Sequence, residues 1–449
     1  MRRAISLIYL AFLGCDSSGE ATEVDARVPP SRPPVATSPW TTEPVLAGGV
    51  GLQPALATHP NGSVSLAFFG ARGVFTGPCD ALGDAPPDQV TWDIHLATRT
   101  AAGWTSQIVA QPLLVGDPAG LALAYTPAGE AVLAVPSGAP NVGFRYCGAN
   151  DLALLRAASA FAPEVVVSES AQAASGLPAS DFGTVVGVWP ALAFAPDGSA
   201  AVAWKDVHAG SIQRDDLARA DLELARGAAG GWAYTAVDAG RGHGDHTAIA
   251  FDPDGRLVIA DENPVEETED RLGVWVRREA ADGFEAVRLS ELPGGSRPGL
   301  AFEASGAVWV SFHDAAGGRP MVAYLADPTA FADLSAWTFE AVGDARYREG
   351  RGVQVAVSPQ GFPSLVWYRC GRVGEVECRA DQDGVVFAWR ADGEWMREVV
   401  EAGGDAPCGQ DPQLAYDADS RAWVAWRCNR PAGDGFESVV EAARRSVLR

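Results

Sequence analysis

Histidine is scarce in this chain of 449 residues, and four of its six copies fall between positions 208 and 313. They are His208, His243, His246 and His313, accompanied by Asp206, Asp245, Asp261, Glu262 and Asp314. Neutral imidazole and carboxylate oxygen are ligands for zinc and related divalent ions, and a His–Asp pair can also move protons in general acid–base catalysis. His208, His243, His246, His313 and Asp245 are therefore the candidate metal ligands, with a divalent metal the one cofactor to consider. His246, His313 and Asp261 form the candidate catalytic set. Their spacing matches neither the His-Glu-x-x-His helix nor a calcium-binding loop, so the plainer alternative is a set of structural or solvated loop residues.

A second group is cationic: Arg297, Arg346, Arg348, Arg351, Arg369 and Arg427. The planar guanidinium fork matches carboxylate and phosphate groups, which makes Arg297, Arg351, Arg369 and Arg427 candidate binders of an acidic ligand. The alternative is pairing with the chain's own carboxylates, since 57 acidic residues face 34 lysines and arginines for a net charge of -23. That balance excludes a non-specific nucleic-acid binder, which needs basic charge. No phosphate loop, dinucleotide fingerprint or nucleophile elbow accompanies either group.

The scaffold that positions these groups is repetitive. The segment Pro190 to Trp204, PALAFAPDGSAAVAW, recurs with variation from Pro54, Leu121, Thr247, Pro298, Val353 and Pro412, at intervals of 51 to 69 residues. Small and large residues alternate on either side of a Pro/Asp/Gly turn, the signature of a β-hairpin whose glycine supplies a positive φ. A third strand follows each hairpin. A fourth, opened by Trp104, Phe161, Trp232, Phe284, Trp337 or Trp395, follows six of the seven. The missing fourth strand is supplied at the other terminus by Trp40 to Leu46. Four strands per unit, and a deficit at one end repaired from the other, predict an all-β ring: a seven-bladed β-propeller of four-stranded antiparallel blades over residues 39–449, closed by an N-terminal strand. The long connections, 70–92, 137–151, 168–189, 205–221, 262–272 and 369–384, fall on one face of that disc, the usual location of a binding surface on a rigid scaffold.

The N-terminus begins Met1-Arg2-Arg3, followed by an apolar run from Ala4 to Leu13 that is too short to span a bilayer. Its end, Phe12-Leu13-Gly14-Cys15, resembles the lipobox of bacterial lipoproteins, which implies acylation of Cys15 after removal of an export signal over residues 1–15. Residues 16–38 are polar and proline-rich and read as an extended tether. The remaining six cysteines, Cys79, Cys147, Cys370, Cys378, Cys408 and Cys428, are an even set in an exported chain and point to disulfides. Placement pairs Cys370 with Cys378, Cys408 with Cys428, and Cys79 with Cys147.

Across Trp40 to Arg444 the repeat resembles those of secreted bacterial propeller proteins, a likeness of fold. The arginine cluster is similar to the one that holds the acid group in sialidase-like propellers. The Ser-x-Asp-x-Gly-x-x-Trp box of those enzymes is absent, and no Tyr/Glu nucleophile pair is identified. The expectation is a monomeric, membrane-anchored, extracytoplasmic binding or scaffold lipoprotein that presents its looped face to a protein or glycan. The alternative is an extracellular polysaccharide hydrolase or lyase using the His/Asp group on the same face.

Overall fold

A computed structural model describes residues 39–45, 51–74, 90–112, 120–137, 151–168, 185–207, 220–228, 231–238, 242–264, 272–292, 297–344, 347–370, 382–404, 406–432 and 435–446. Within these, each repeat folds as a hairpin. In the third copy Ala195 N donates to Ser199 O at 2.9 Å and Gly198 N donates back to Ala195 O at 2.9 Å, with Gly198 at φ +87°. Glycine fills this left-handed position in six of the seven turns; in the last copy Ser420 takes it, at φ +59°.

The strands assemble into seven four-stranded sheets, six of them in simple sequence order. The seventh combines the innermost strand Cys408–Tyr416, then Ala422–Ala432 and Gly435–Arg445, with Trp40–Pro44 at the outer edge. Trp40 pairs with Arg445 and Pro44 with Glu441, antiparallel. Trp40 is buried, donates from its indole to Glu398 Oε1 at 2.8 Å, and meets the Phe387 ring edge-on at 5.2 Å. Glu43 pairs with Arg99 of the first blade at 2.6 Å, so the closing strand touches both of its neighbouring blades. Each innermost strand packs against the next around the ring, and the innermost strand of blade seven meets that of blade one.

Burial follows the repeat. The second and third strands form the dry interior of each blade, as in blade three, where Ala201, Val202, Ala203 and Trp204 are each 0% exposed. The last residue of the 15-residue motif points into a core between blades: Phe68, Val135, Trp204, Phe312, Trp367 and Trp426 are all buried there. Blade four departs from this rule, because its residue at that position is Asp261, also fully buried. The Cys408–Cys428 disulfide forms as expected, between residues directly opposite each other on neighbouring strands. Cys370 is disulfide-bonded as well; its expected partner Cys378, together with Cys79, Cys147, Cys15 and His208, lies outside the described residues.

Candidate functional site: an axial pocket

Two positions of the repeat supply the site. The first is the residue immediately before the motif: Gln53, Gly120, Trp189, His246, Arg297, Gly352 and Asp411 in blades one to seven. Six of these seven have a left-handed backbone, including four that are not glycine: Gln53 (φ 49°), Trp189 (48°), His246 (48°) and Asp411 (52°). In blades one, three, four, six and seven the register between first and second strands shifts across this position. An extra residue in one strand bends it and re-aims a side chain, and left-handed non-glycine residues are costly enough to cluster where structure over-determines them. The bulges turn these side chains toward the propeller axis.

The second position follows the motif's last residue and carries Lys205, Tyr368 and Arg427 in blades three, six and seven. Together the two positions and their neighbours enclose a cavity of about 270 Å³. Its wall takes Gln53, Trp189, His246, Arg297, Arg351, Tyr368, Asp411 and Arg427, with Gln354, Gln410 and Gln413 at its sides. Three of the four arginines singled out in the sequence thus converge. The fourth, Arg369, donates instead to Gln382 O at 3.2 Å and lies over the Tyr347 ring.

Among the described residues, three guanidinium groups therefore share this cavity with the single carboxylate of Asp411. Arg427 Nε is 3.2 Å from Asp411 Oδ2. Burial pushes the pKa of Arg297 down, and the Asp411 charge opposes that shift. Tyr368 donates its hydroxyl proton to the buried Asp383 at 2.6 Å. Burial first, then this hydrogen bond and the Asp383 charge, push the phenol far above its ordinary pKa, so Tyr368, which lines the cavity, stays protonated.

On the opposite side the His246 ring stacks on Trp189 with centroids 4.3 Å apart and planes 19° from parallel. The Lys205 ammonium also sits over the Trp189 ring at 5.4 Å. Trp189 is therefore a wall that seats His246 and not an open stacking platform. Asp245 lies 3.4 Å from Lys205 Nζ and 3.7 Å from His246 Nδ1. Burial lowers the His246 pKa, reinforced by Arg297 and Lys205 against the opposing pull of Asp245 and Asp411.

The other members of the histidine–acid group lie elsewhere. His243 is buried behind the pocket, its Nδ1 3.0 Å from Asp261 Oδ2, which also accepts from Gly244 N at 3.2 Å. Arg277 donates to the other oxygen of Asp261 and, at 2.7 Å, to Asp238. Burial alone would raise the Asp261 pKa, but Arg277 and His243 outweigh it and hold the carboxylate ionised. His313 is buried at the end of the second strand of blade five, and neither it nor Asp261 lines the pocket. Asp261 and Asp245 are each matched by a cationic side chain of the protein, Arg277 and Lys205. Cys408, Cys428 and Glu441 bring three donor atoms within 4.8 Å of one another, yet metal binding needs thiolates and both sulfurs are spent on the disulfide.

Sequence reading missed Tyr368, Asp411 and Trp189. The available signal was the repeat itself: aligning the seven copies places Asp411 and Trp189 in one column with His246 and Arg297, and Tyr368 in the column of Arg427.

No protein-family model and no curated protein matches the chain. Among solved structures it resembles a protein of unknown function from Dyadobacter fermentans, with 12% identity over 91% of this chain and 98% of that one and a TM-score of 0.47. It also resembles the NanB sialidase of Streptococcus pneumoniae, at 8% identity over 90% and 70% with a TM-score of 0.45, and an α-L-arabinanase of Penicillium chrysogenum, at 13% over 90% and 97% with a TM-score of 0.43. These likenesses concern fold. The chain is a seven-bladed β-propeller by its own seven sheets, and the chemistry of its axial pocket is read from its own residues.

Proposed function

We propose that the protein is a lipid-anchored, extracytoplasmic binding protein that takes a small polyhydroxylated carboxylic acid, free or as the acidic end of a glycan, in its axial pocket. The observation that carries this reading is the convergence of Arg297, Arg351 and Arg427 on one cavity in a chain of strongly negative net charge. Charge-assisted bonds from guanidinium to carboxylate are about twice as strong as neutral ones. Tyr368 and Asp411 add hydrogen-bond acceptors, which suit hydroxyl donors on the same ligand. A cavity of about 270 Å³ sits near the small end of ligand pockets and suits one sugar unit better than a polymer chain. The export-type N-terminus ending at Cys15 and the Cys408–Cys428 disulfide support an oxidising compartment outside the cytoplasm.

Calorimetry with D-gluconate and D-galactonate, each beside its neutral counterpart D-glucitol or galactitol, tests the reading. Binding of the acids alone, lost in Arg297→Met and Arg427→Met variants that stay folded, is the expected result. Equal affinity for acids and neutral polyols would sink it.

The hydrolase alternative is favoured by one observation, the Tyr368–Asp383 hydrogen bond in the pocket wall: Asp383 would accept the phenol proton as Tyr368 Oη bonds to the anomeric carbon and the glycosidic C–O bond breaks, the leaving alcohol taking a proton from water, and water would then release the glycosyl group from Tyr368. Turnover of an acidic glycoside that disappears in Tyr368→Phe while binding persists would establish it in place of simple binding.

A further inference from the structure

We propose that Asp411 sets the ligand class of the pocket: it admits carboxylic acids that carry a hydroxyl on the carbon next to the carboxylate and disfavours acids without one. This inference rests on the carboxylate-binding reading above. Asp411 is the one carboxylate lining the cavity among the described residues, and a ligand acid group that reaches Arg427 must come to rest beside it, because the two side chains are 3.2 Å apart. Asp411 has no retreat along the backbone. Its left-handed conformation lies in a bulge between Gln410 and Gln413, the following Pro412 has a fixed φ, and Cys408 three residues earlier is tied to Cys428.

The side chain itself is 44% exposed, so oxygen lone pairs remain free to accept from a ligand. Two carboxylates side by side repel unless a donor lies between them, and an α-hydroxyl is placed to serve as that donor. The repeat shows that the fold does not demand an acid here, since blades two and six carry Gly120 and Gly352 in the same column. A glycine at that point in blade seven would leave Arg297 and Arg427 open to any carboxylate.

The test compares D-gluconate with 2-deoxy-D-gluconate, which differ only in the α-hydroxyl, on the full-length protein and on Asp411→Asn and Asp411→Ala. A hydrogen bond to a charged group is worth about tenfold or more in affinity, so the wild-type chain should prefer gluconate by about that factor. Asp411→Ala should bring the ratio close to one by strengthening binding of the deoxy acid, with Asp411→Asn intermediate because its amide oxygen still accepts. A ratio unchanged in Asp411→Ala, with both acids still bound, overturns this inference and leaves the carboxylate reading intact. Failure of both acids to bind wild type and variants alike overturns the two together.

Discussion

Asp261 and Arg277 face each other inside blade four at a site where five other blades place a large aromatic or aliphatic side chain in the same repeat position and a sixth places Val135. The blade has exchanged apolar packing for an ionic cluster that includes His243 and Gly244. Gly244 O in turn accepts from the Thr247 hydroxyl at 3.0 Å, so the cluster braces the bulge that carries His246 to the axis. Removing one partner of a buried pair leaves an uncompensated charge and typically costs about 3–5 kcal/mol. Arg277→Met should lower stability in urea by about that much, whereas Arg277→Met combined with Asp261→Leu should recover most of it. A single-variant loss below about 1 kcal/mol, the range of exposed pairs, would show that the cluster is not a buried ionic core.

Much of the fold was legible because its determinants are local. Alternation on either side of Gly198 or Gly255 specifies a hairpin without reference to any distant residue, and the count of fourth strands located Trp40 as the closing element. Arg297, Arg351 and Arg427 were legible as a group because they sit at the same end of neighbouring blades in the repeat, whereas nothing local set Arg369, which turns to Gln382 O, apart from them. His243 and His246 were not separable: they lie three residues apart, yet one is locked behind the blade and the other lines the pocket. The bulge at His246 breaks strand alternation, and nothing in the local composition announces it. The Tyr368–Asp383 contact was hidden for a different reason, since Asp383 lies just before the strand Gly384–Ala391 that pairs with the strand of Tyr368, and the connection between them has a length that carries no register.

The neutral state of His246 makes both stability and binding depend on pH, in opposite senses. Its folded pKa is lowered from 6.5, so on acidification the unfolded chain takes up the proton first. Stability from this residue is complete above pH 6.5 and declines as pH falls toward the folded value. An anionic ligand favours the imidazolium, so its affinity should rise as pH falls through the same range. D-gluconate titrations between pH 7.5 and 5 should show this gain in wild type and a flat profile in His246→Gln. A slope that persists in the variant would assign the titration to another group.

Asp261 governs a lower window. Its folded pKa is held below 3.8 by Arg277 and His243 against the opposing effect of burial, which means that its contribution is present above the unfolded value and lost as pH falls through the folded one. Acid unfolding followed by tryptophan fluorescence should begin below about pH 4 and shift upward in Asp261→Asn, which cannot ionise. An unshifted midpoint would assign the acid transition to other carboxylates.

The Cys408–Cys428 bond ties the segment that ends in Asp411 to the strand that carries Arg427. Closing a loop of 20 residues in sequence stabilises a chain by about 3 kcal/mol in the loop-entropy picture. A Cys408→Ala/Cys428→Ala variant should unfold at lower urea by a comparable amount and bind carboxylate probes more weakly than wild type when both are folded, because the bulge loses its anchor. Weaker binding without lower stability would mean that the disulfide acts on the pocket alone.

Ring closure rests on one short strand. Trp40 is buried against Phe387 and Glu398, and Glu43 reaches Arg99 across the seam. Replacing a buried aromatic by alanine typically costs about 3–5 kcal/mol, and Trp40→Ala should approach the lower end of that range because a five-residue strand is free to fray around the cavity. Deleting Trp40–Pro44 goes further by exposing the edge of Gly435–Arg445, a strand of 11 residues, and unprotected edges recruit other chains. Light scattering should therefore reveal association in the deletion variant and not in Trp40→Ala. A deletion variant that stays monomeric with wild-type stability would show that the propeller holds its ring by blade packing alone and has no need of the closing strand.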